Sequence, residues 1–68
     1  MNFDMTGGKR AVYFVSLYGV GVEDFYYFHY YKDAKEMFNR LKGANHKKGT
    51  IIIVYDLIHD RYKDFARA

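Results

Sequence analysis

The chain contains no cysteine, so neither a disulfide nor a thiolate metal site can hold its fold together. It also lacks an apolar run approaching the ~20 residues that a membrane-spanning helix needs. No secretory signal pattern opens the sequence. From these absences we expect a cytoplasmic protein whose fold depends on packing alone.

A strong excess of one charge is also missing. Eleven basic and eight acidic residues give a formal net charge of +3, which is less biased than a dedicated DNA-binding domain. The basic residues are concentrated between residues 32 and 48. That segment is either a solvated helix face followed by a polar loop, or a positive surface that steers an anionic partner.

What the chain does have is hydrophobic and aromatic side chains. Half of its 68 residues are hydrophobic and 21% are aromatic, so we expect a folded single domain rather than a disordered segment. A domain of this size buries only about 60% of its unfolded surface. Small domains without disulfides often gain stability by oligomerising, and we therefore expect a homodimer.

An aromatic stretch at Phe25–Tyr31 is predicted to be a strand, because aromatic residues suit a pleated, half-buried surface. Side chains alternate between the two faces of a strand, yet neither face of this one is plainly polar. The second face must therefore be covered by more of the chain, by a second copy or by a ligand.

A short helix is predicted to follow this strand. Four apolar residues recur at helical spacing and form one stripe: Ala34, Met37, Phe38 and Leu41. Asp33 is a suitable N-cap with Glu36 three residues later, as in a capping box. Gly43 can adopt the left-handed conformation that ends a helix. A helix of about ten residues is too short to persist alone and must be held by packing.

Two further strands flank this unit. Arg10–Tyr18 and Thr50–Ile58 have β-branched or aromatic residues on both faces. The segment Gly19–Glu23 contains two glycines and is predicted to reverse the chain, so that the first two strands form an antiparallel hairpin. The most β-branched strand, Thr50–Ile58, is predicted either to lie centrally in the sheet or to have its rear face covered as well.

The two ends of the chain complete the predicted domain organisation. Residues 1–8 show no periodicity and are predicted to be a flexible N-terminal tail, which leaves residues 9–68 as a single domain. The final segment, 59–68, is interpreted either as a fourth strand or as a last helical turn. The expected fold is α+β, with one amphipathic helix packed on one face of a small antiparallel sheet in the order ββαβ.

No pattern of residues points to catalysis or metal binding. The three histidines have no metal-ligand spacing, and the single serine, Ser16, lies in a predicted strand. Asp56, Asp60 and Asp64 would share a face and could hold a cation only if the last segment were helical. A domain this small rarely encloses a water-excluding pocket. We therefore expect a non-enzymatic protein without a cofactor or metal.

Three kinds of function fit these features. The first is a protein-interaction module, since tyrosine is over-represented at interfaces and the chain has eight. One helix cannot cover a whole sheet, and the aromatic surface left over would contact a partner or a second copy. The predicted contact residues are Tyr13, Tyr26, Tyr27, Phe38 and Leu41.

The second kind is a single-stranded nucleic-acid-binding protein, in which bases stack on exposed rings of the sheet while basic residues hold the phosphates. Tyr13, Tyr27 and His29 are the candidate stacking residues. The candidate anion contacts are Arg40, Lys42, Lys47 and Lys48. The third kind is a small structural subunit of a larger assembly.

One family resemblance bears on this choice. Tyr26-Tyr27, followed by Phe38, Leu41 and Gly43 between two strand-like segments, resembles the small podophage-encoded inhibitors of uracil-DNA glycosylase. That resemblance implies a dimer of ββαβ subunits whose helix aromatics form a groove that captures a hydrophobic loop of the enzyme.

On this pattern Phe38 would line the groove, Leu41 would lie near the dimer contact, and Tyr26 and Tyr27 would support them. Those inhibitors are acidic and imitate DNA, whereas this chain is net basic. More broadly, a short, aromatic, cysteine-free chain with one helix is similar to many phage-encoded proteins that block a host enzyme or defence complex.

Overall fold

A computed structural model describes all residues from 1 to 68. It contains one helix and five strands in the order βββαββ. The elements are β1 Asn2–Asp4, β2 Tyr13–Gly19, β3 Val22–Phe28, α1 Tyr31–Gly43, β4 Ile51–Asp56 and β5 Arg61–Arg67.

All five strands belong to one sheet, in the spatial order β1-β3-β2-β4-β5. The pairs β2–β3, β2–β4 and β4–β5 are antiparallel, and only β1–β3 is parallel. The helix packs across one face of this sheet. The predicted α+β class, with a mostly antiparallel sheet and one helix on one face, is confirmed.

The predicted helical stripe is the part of α1 that faces the sheet. Ala34 and Phe38 are buried in the core, and Met37 and Leu41 pack against it. The sheet supplies the rest of the core from alternate positions of three strands: Val15, Leu17, Phe28, Ile52 and Val54. The 3.6-residue period therefore predicted the buried face of the helix correctly.

Both predicted helix ends were wrong. The helix begins at Tyr31, two residues before the expected cap, and its N-cap residue, Tyr30, makes no side-chain capping hydrogen bond. The ring of Tyr31 packs on Tyr13 at 5.4 Å between centroids, so tertiary contact extends the first turn. At the other end Gly43 is helical and Ala44, with φ −84°, is the extended C-cap.

The predicted hairpin between the first two long strands is present, but its turn is tighter than expected. Gly19 already pairs with Val22, so only Val20 and Gly21 form the turn. Gly21, the second central residue of the turn, takes φ +75°, a left-handed conformation that favours glycine at this position. As a result β3 spans Val22–Phe28, three residues earlier than the predicted aromatic strand.

The first eight residues differ from the expected tail. Asn2–Asp4 forms the edge strand β1, parallel to β3, and the Met5 amide donates to the Tyr27 carbonyl at 2.8 Å. The ring of Phe3 stacks on Tyr26 with centroids 4.9 Å apart. Three residues are too few to show an alternating pattern, which is why this strand was missed.

The last segment is a strand, as one of the two sequence interpretations had it. β5 pairs with β4 through a bulge between Val54 and Tyr55. The chain end is fastened to the start of β4, because the Ala68 amide donates to the Thr50 carbonyl and the Gly49 amide donates to the Ala68 carbonyl. β4 therefore lies centrally, between β2 and β5, which is the first of the two predicted alternatives.

Candidate binding surface

The sheet has one face under the helix and one face that no element of the chain covers, which we call the open face. Across β3, β2, β4 and β5, the pairing register places its residues in three rows, and the edge strand β1 adds Asn2 and Asp4 beside Phe25 and Tyr27. The first row is Glu23, Tyr18, Ile51 and Arg67. The second row is Phe25, Ser16, Ile53 and Phe65. The third row is Tyr27, Phe14, Tyr55 and Tyr62.

Phe14, in the third row, lies at the centre of an aromatic cluster. Its ring stacks on Tyr55 at 5.1 Å with the planes 20° apart, and it meets Phe25 edge-on at 5.5 Å. Tyr27 lies 6.0 Å from the same ring. Tyr62 continues the cluster with an edge contact to Tyr55 at 5.3 Å. These spacings are typical of favourable aromatic pairs.

The outer rings of the open face remain accessible to solvent. Tyr62 and Phe65 on the edge strand β5 are 68% and 60% exposed, and Tyr18 is 56% exposed. Of the twelve residues in the three rows, only Glu23 and Arg67 carry a charge, and both lie in the first row. The middle of the open face is therefore aromatic and uncharged, as in the core of a protein interface.

Most of the predicted contact residues lie on the other side of the sheet. Phe38 is only 3% exposed and belongs to the core, with Leu41, Tyr13 and Tyr26 packed against that core. Tyr27 is the one predicted contact residue on the open face. The expectation that helix residues form an exposed groove therefore does not fit this subunit, because packing on the sheet already buries the Phe38 ring.

The predicted anion contacts also lie away from the open face. Arg40 is on the helix and pairs with Glu36 at 3.4 Å. Lys42, also on the helix, places its Nζ atom 5.4 Å from the centre of the Phe38 ring. Lys47 and Lys48 are exposed in the loop between α1 and β4. The structure does not combine these basic residues with the aromatic cluster.

A polar cluster joins the start of the helix to β5. Asp64 accepts hydrogen bonds from the Tyr31 hydroxyl and from Lys35 Nζ, each at 2.6 Å. The hydrogen bond to Asp64, together with burial, raises the pKa of Tyr31 to about 12. Burial opposes ionisation of Asp64, but the hydrogen bonds from Lys35 and Tyr31 prevail and lower its pKa. All three groups are satisfied by one another, which indicates a structural role.

A second polar cluster closes the β4–β5 connection. Asp56 is buried, and its Oδ1 accepts from the amides of Ile58 and His59 at 3.0 and 3.1 Å. Nδ1 of His59 lies 2.8 Å from Oδ2 of the same carboxylate. Burial opposes ionisation of Asp56, but the hydrogen bonds from His59 and Ile58 prevail and lower its pKa. This carboxylate therefore organises the turn.

Two shallow hollows lie away from the open face. One, of about 250 Å³, is bounded by the helix and the N-terminal segment, including Met37, Arg40 and Met5. The other, of about 410 Å³, lies between the hairpin turn and the loop after the helix, including Val20, His46 and Thr50. No group of three or more histidine, aspartate or glutamate side chains is placed to hold a metal ion.

Several residues of the open face were not predicted as site residues: Phe14, Phe25, Tyr55, Tyr62 and Phe65. The signal that could have found them is the alternation along β2 and β4, once the buried partners Val15 and Val54 are assigned to the core. The aromatic strand gave no such signal of its own, because both its faces are aromatic.

Comparison of the chain with protein-family models, curated proteins and solved structures gave no match. The helix of the structure is neither long enough nor apolar enough to cross a membrane. Among the surfaces of the chain, the open face is the most distinctive.

Proposed function

We propose that this chain is a non-enzymatic protein-binding module and that the open face is its binding surface. The observation that carries the proposal is the aromatic, uncharged centre of that face, with Tyr62 and Phe65 more than half exposed. Aromatic rings supply a large contact area at little entropy cost and dominate the energetics of protein interfaces. An apolar patch of this kind on a small protein often marks an interaction site.

Charge placement favours a protein partner over a nucleic acid. Single-stranded nucleic acids need cationic groups beside the stacking rings to hold the phosphates. Among the basic residues of β5, Arg67 lies on the open face. By contrast, Arg61 Nε lies 3.9 Å from Asp56 Oδ2, and Lys63 Nζ lies 5.3 Å from the centre of the Tyr31 ring. Nucleic-acid binding remains the second candidate function, supported by the flat Phe14–Tyr55 stack.

For the biological role we propose a phage-type inhibitor of a host enzyme or defence complex, acting in the host cytoplasm. The support for this role is the make-up of the chain and its resemblance to the podophage inhibitors, with uracil-DNA glycosylase as the candidate target. Because the Phe38 ring is buried, we propose that the target contacts the open face and not a groove built from the helix.

Affinity capture from host lysate tests the binding surface. We expect the wild-type chain to retain a dominant protein that Phe65→Thr retains at least about tenfold less, as for loss of an aromatic anchor. Val20→Thr is the matched control, because Val20 is an exposed apolar residue in the hairpin turn and outside the three rows. Equal capture by all three proteins would contradict the proposal.

Two direct assays separate the candidate functions. Inhibition of purified uracil-DNA glycosylase by the wild type, but not by Phe65→Thr, would support the candidate target, and no inhibition would exclude it. Micromolar binding of a single-stranded oligonucleotide that weakens steeply with salt would instead support the second candidate function.

A further inference from the structure

The three rows contain two charged residues, and their placement is specific. The other charge on the open face, Asp4 of the edge strand β1, already accepts hydrogen bonds from Thr6. Glu23 on β3 and Arg67 on β5 lie at opposite ends of the first row, with Tyr18 and Ile51 between them. Neither side chain forms an ion pair within the subunit. The Met1 amino group donates to the backbone carbonyl of Glu23 and pairs with the carboxylate of Asp24. The three rows therefore carry one unpaired charge of each sign at two corners.

We propose that a second copy of the chain covers the open face, with the twofold axis parallel to the strands and between β2 and β4. The proposal rests on the proposed function, since it names an occupant of the same binding surface. A twofold axis makes an interface self-complementary, so that each contact between two different residues occurs twice.

With this axis, Glu23 and Arg67 of each copy both meet a residue of opposite charge. Rotation about it keeps each row in place and lays β3 of one copy over β5 of the other, so Glu23 faces Arg67 of the second copy at both corners. An axis perpendicular to the strands would lay the first row over the third and set these charges against tyrosine rings. Glutamate and arginine are long enough to meet between sheets packed about 10 Å apart.

The same rotation also matches protruding rings with covered ones. Phe65, which is well exposed, lies over Phe25, which is half-buried, and Tyr62 lies over Tyr27 in the same way. At the centre, the small Ser16 faces Ile53 of the second copy. Two sheets packed in this manner form a sandwich whose inner layer is apolar, which is a common arrangement of antiparallel sheets.

The size of the face sets the strength of this dimer. Four strands about 4.8 Å apart, with three rows about 6.7 Å apart, give a flat patch of roughly 400 Å². Stable interfaces bury about 800 Å² on each partner, so the dimer is at the weak end of the range. In the absence of a partner, a weak dimer covers the aromatic rings. It dissociates when a partner binds the open face more tightly.

Sedimentation equilibrium of the purified full chain, from about 1 to 300 µM, tests the arrangement because weak interfaces dissociate in this range. We expect the wild type to pass from one chain to two. Glu23→Arg sets two cations together and is expected to weaken association by about tenfold or more. The double variant Glu23→Arg/Arg67→Glu restores opposite charges and is expected to restore association.

The matched control is a charge reversal outside the open face. Glu36 pairs with Arg40 on the exposed side of the helix, so Glu36→Arg removes an equivalent surface ion pair and is expected to leave association unchanged. Far-ultraviolet circular dichroism of dilute samples confirms that each variant is folded. A single-chain mass for the wild type at all concentrations would overturn the inference. So would equal effects of the two charge reversals, or a double variant as weak as Glu23→Arg.

The result also separates this inference from the proposed function. A monomeric wild type whose capture of a host protein is lost in Phe65→Thr would overturn the dimer and leave the binding surface in place. Salt-sensitive binding of an oligonucleotide, lost in Phe65→Thr while the protein stays monomeric, would overturn both by assigning the face to nucleic acid.

Discussion

The hydroxyl of Tyr31 donates a hydrogen bond of 2.6 Å to Oδ2 of Asp64, and this contact joins the first turn of the helix to the last strand. The two residues are 33 positions apart in the sequence. The same carboxylate accepts from Lys35 one helical turn further on. The helix is therefore held to the sheet by a polar contact at its start as well as by the apolar stripe.

This hydrogen bond predicts the behaviour of Tyr31 in alkali. Its pKa is raised from 10.0 to about 12, so the bond is intact below pH 10 and its contribution to stability is lost as the pH rises through 12. In an absorbance titration of the eight tyrosines, we expect Tyr31→Phe to remove the component that ionises last. Tyr62→Phe, which changes an exposed ring, is the control and should leave the component that ionises last in place.

Acid should destabilise the fold through carboxylates whose pKa values are lowered, among them the buried Asp56 and the half-buried Asp64. The pKa values of Asp56 and Asp64 lie below the ordinary 3.8, so the unfolded chain takes up protons before the folded one does. Their contribution is therefore present above about pH 4 and is lost as the pH falls through the lower folded values.

Urea unfolding from about pH 7 to about pH 2.5 measures this effect. We expect Asp64→Asn to be less stable than the wild type at pH 7 and the difference to close at the acid end. Asp60→Asn, which changes an exposed carboxylate outside the helix and without an ion pair, is the control and should be as stable as the wild type at pH 7. A difference that widens in acid for Asp64→Asn would contradict the assigned role.

Phe38 is predicted to be the most sensitive core position of the helix. It is 3% exposed, so Phe38→Ala should cost about 3–5 kcal/mol of unfolding free energy. A 68-residue domain has only roughly 3–10 kcal/mol in total, so we expect this variant to be largely unfolded. Phe65→Ala, studied in dilute solution, removes a ring that is mostly exposed and should cost less than about 1 kcal/mol. Similar urea midpoints for the two variants would contradict this assignment.

The helix could be predicted because its pattern is unambiguous, whereas the last segment fitted either a strand or a helical turn. The residues from Ala34 to Leu41 follow the helical period, and the core indeed receives that stripe. The segment Arg61–Arg67 follows a strong strand after a short polar break, which favours a hairpin. The ends of the helix could not be predicted, because contacts between Tyr31 and residues distant in the sequence decide where it begins.

The binding surface was harder to predict than the fold. Tyr26 and Tyr27 are adjacent and chemically identical, yet the first packs toward the helix and the second lies on the open face. Only the hairpin register decides between them, and that register depends on a two-residue turn at Val20 and Gly21. A single residue more in the turn would exchange the two faces.

Glycine substitutions give a final test of how tightly the hairpin end is packed. A Cβ atom at Gly19 would lie 2.7 Å from Thr50 Oγ1 and 3.1 Å from Thr50 Cα. Thr50 cannot move aside easily, because it is buried and its hydroxyl donates to the Lys47 carbonyl at 2.7 Å. We therefore expect Gly19→Ala to destabilise the fold by about 1–3 kcal/mol, as for other overpacked sites.

Gly43 provides the matched substitution with the opposite sign. It is the last residue of the helix, and a Cβ atom there would meet nothing within 4 Å. Alanine loses less backbone entropy in a helix, so Gly43→Ala should stabilise the fold by about 0.5–1 kcal/mol. Urea unfolding of both variants measures the difference. Stabilisation by Gly19→Ala would mean that β2 does not approach Thr50 as closely as the structure has it.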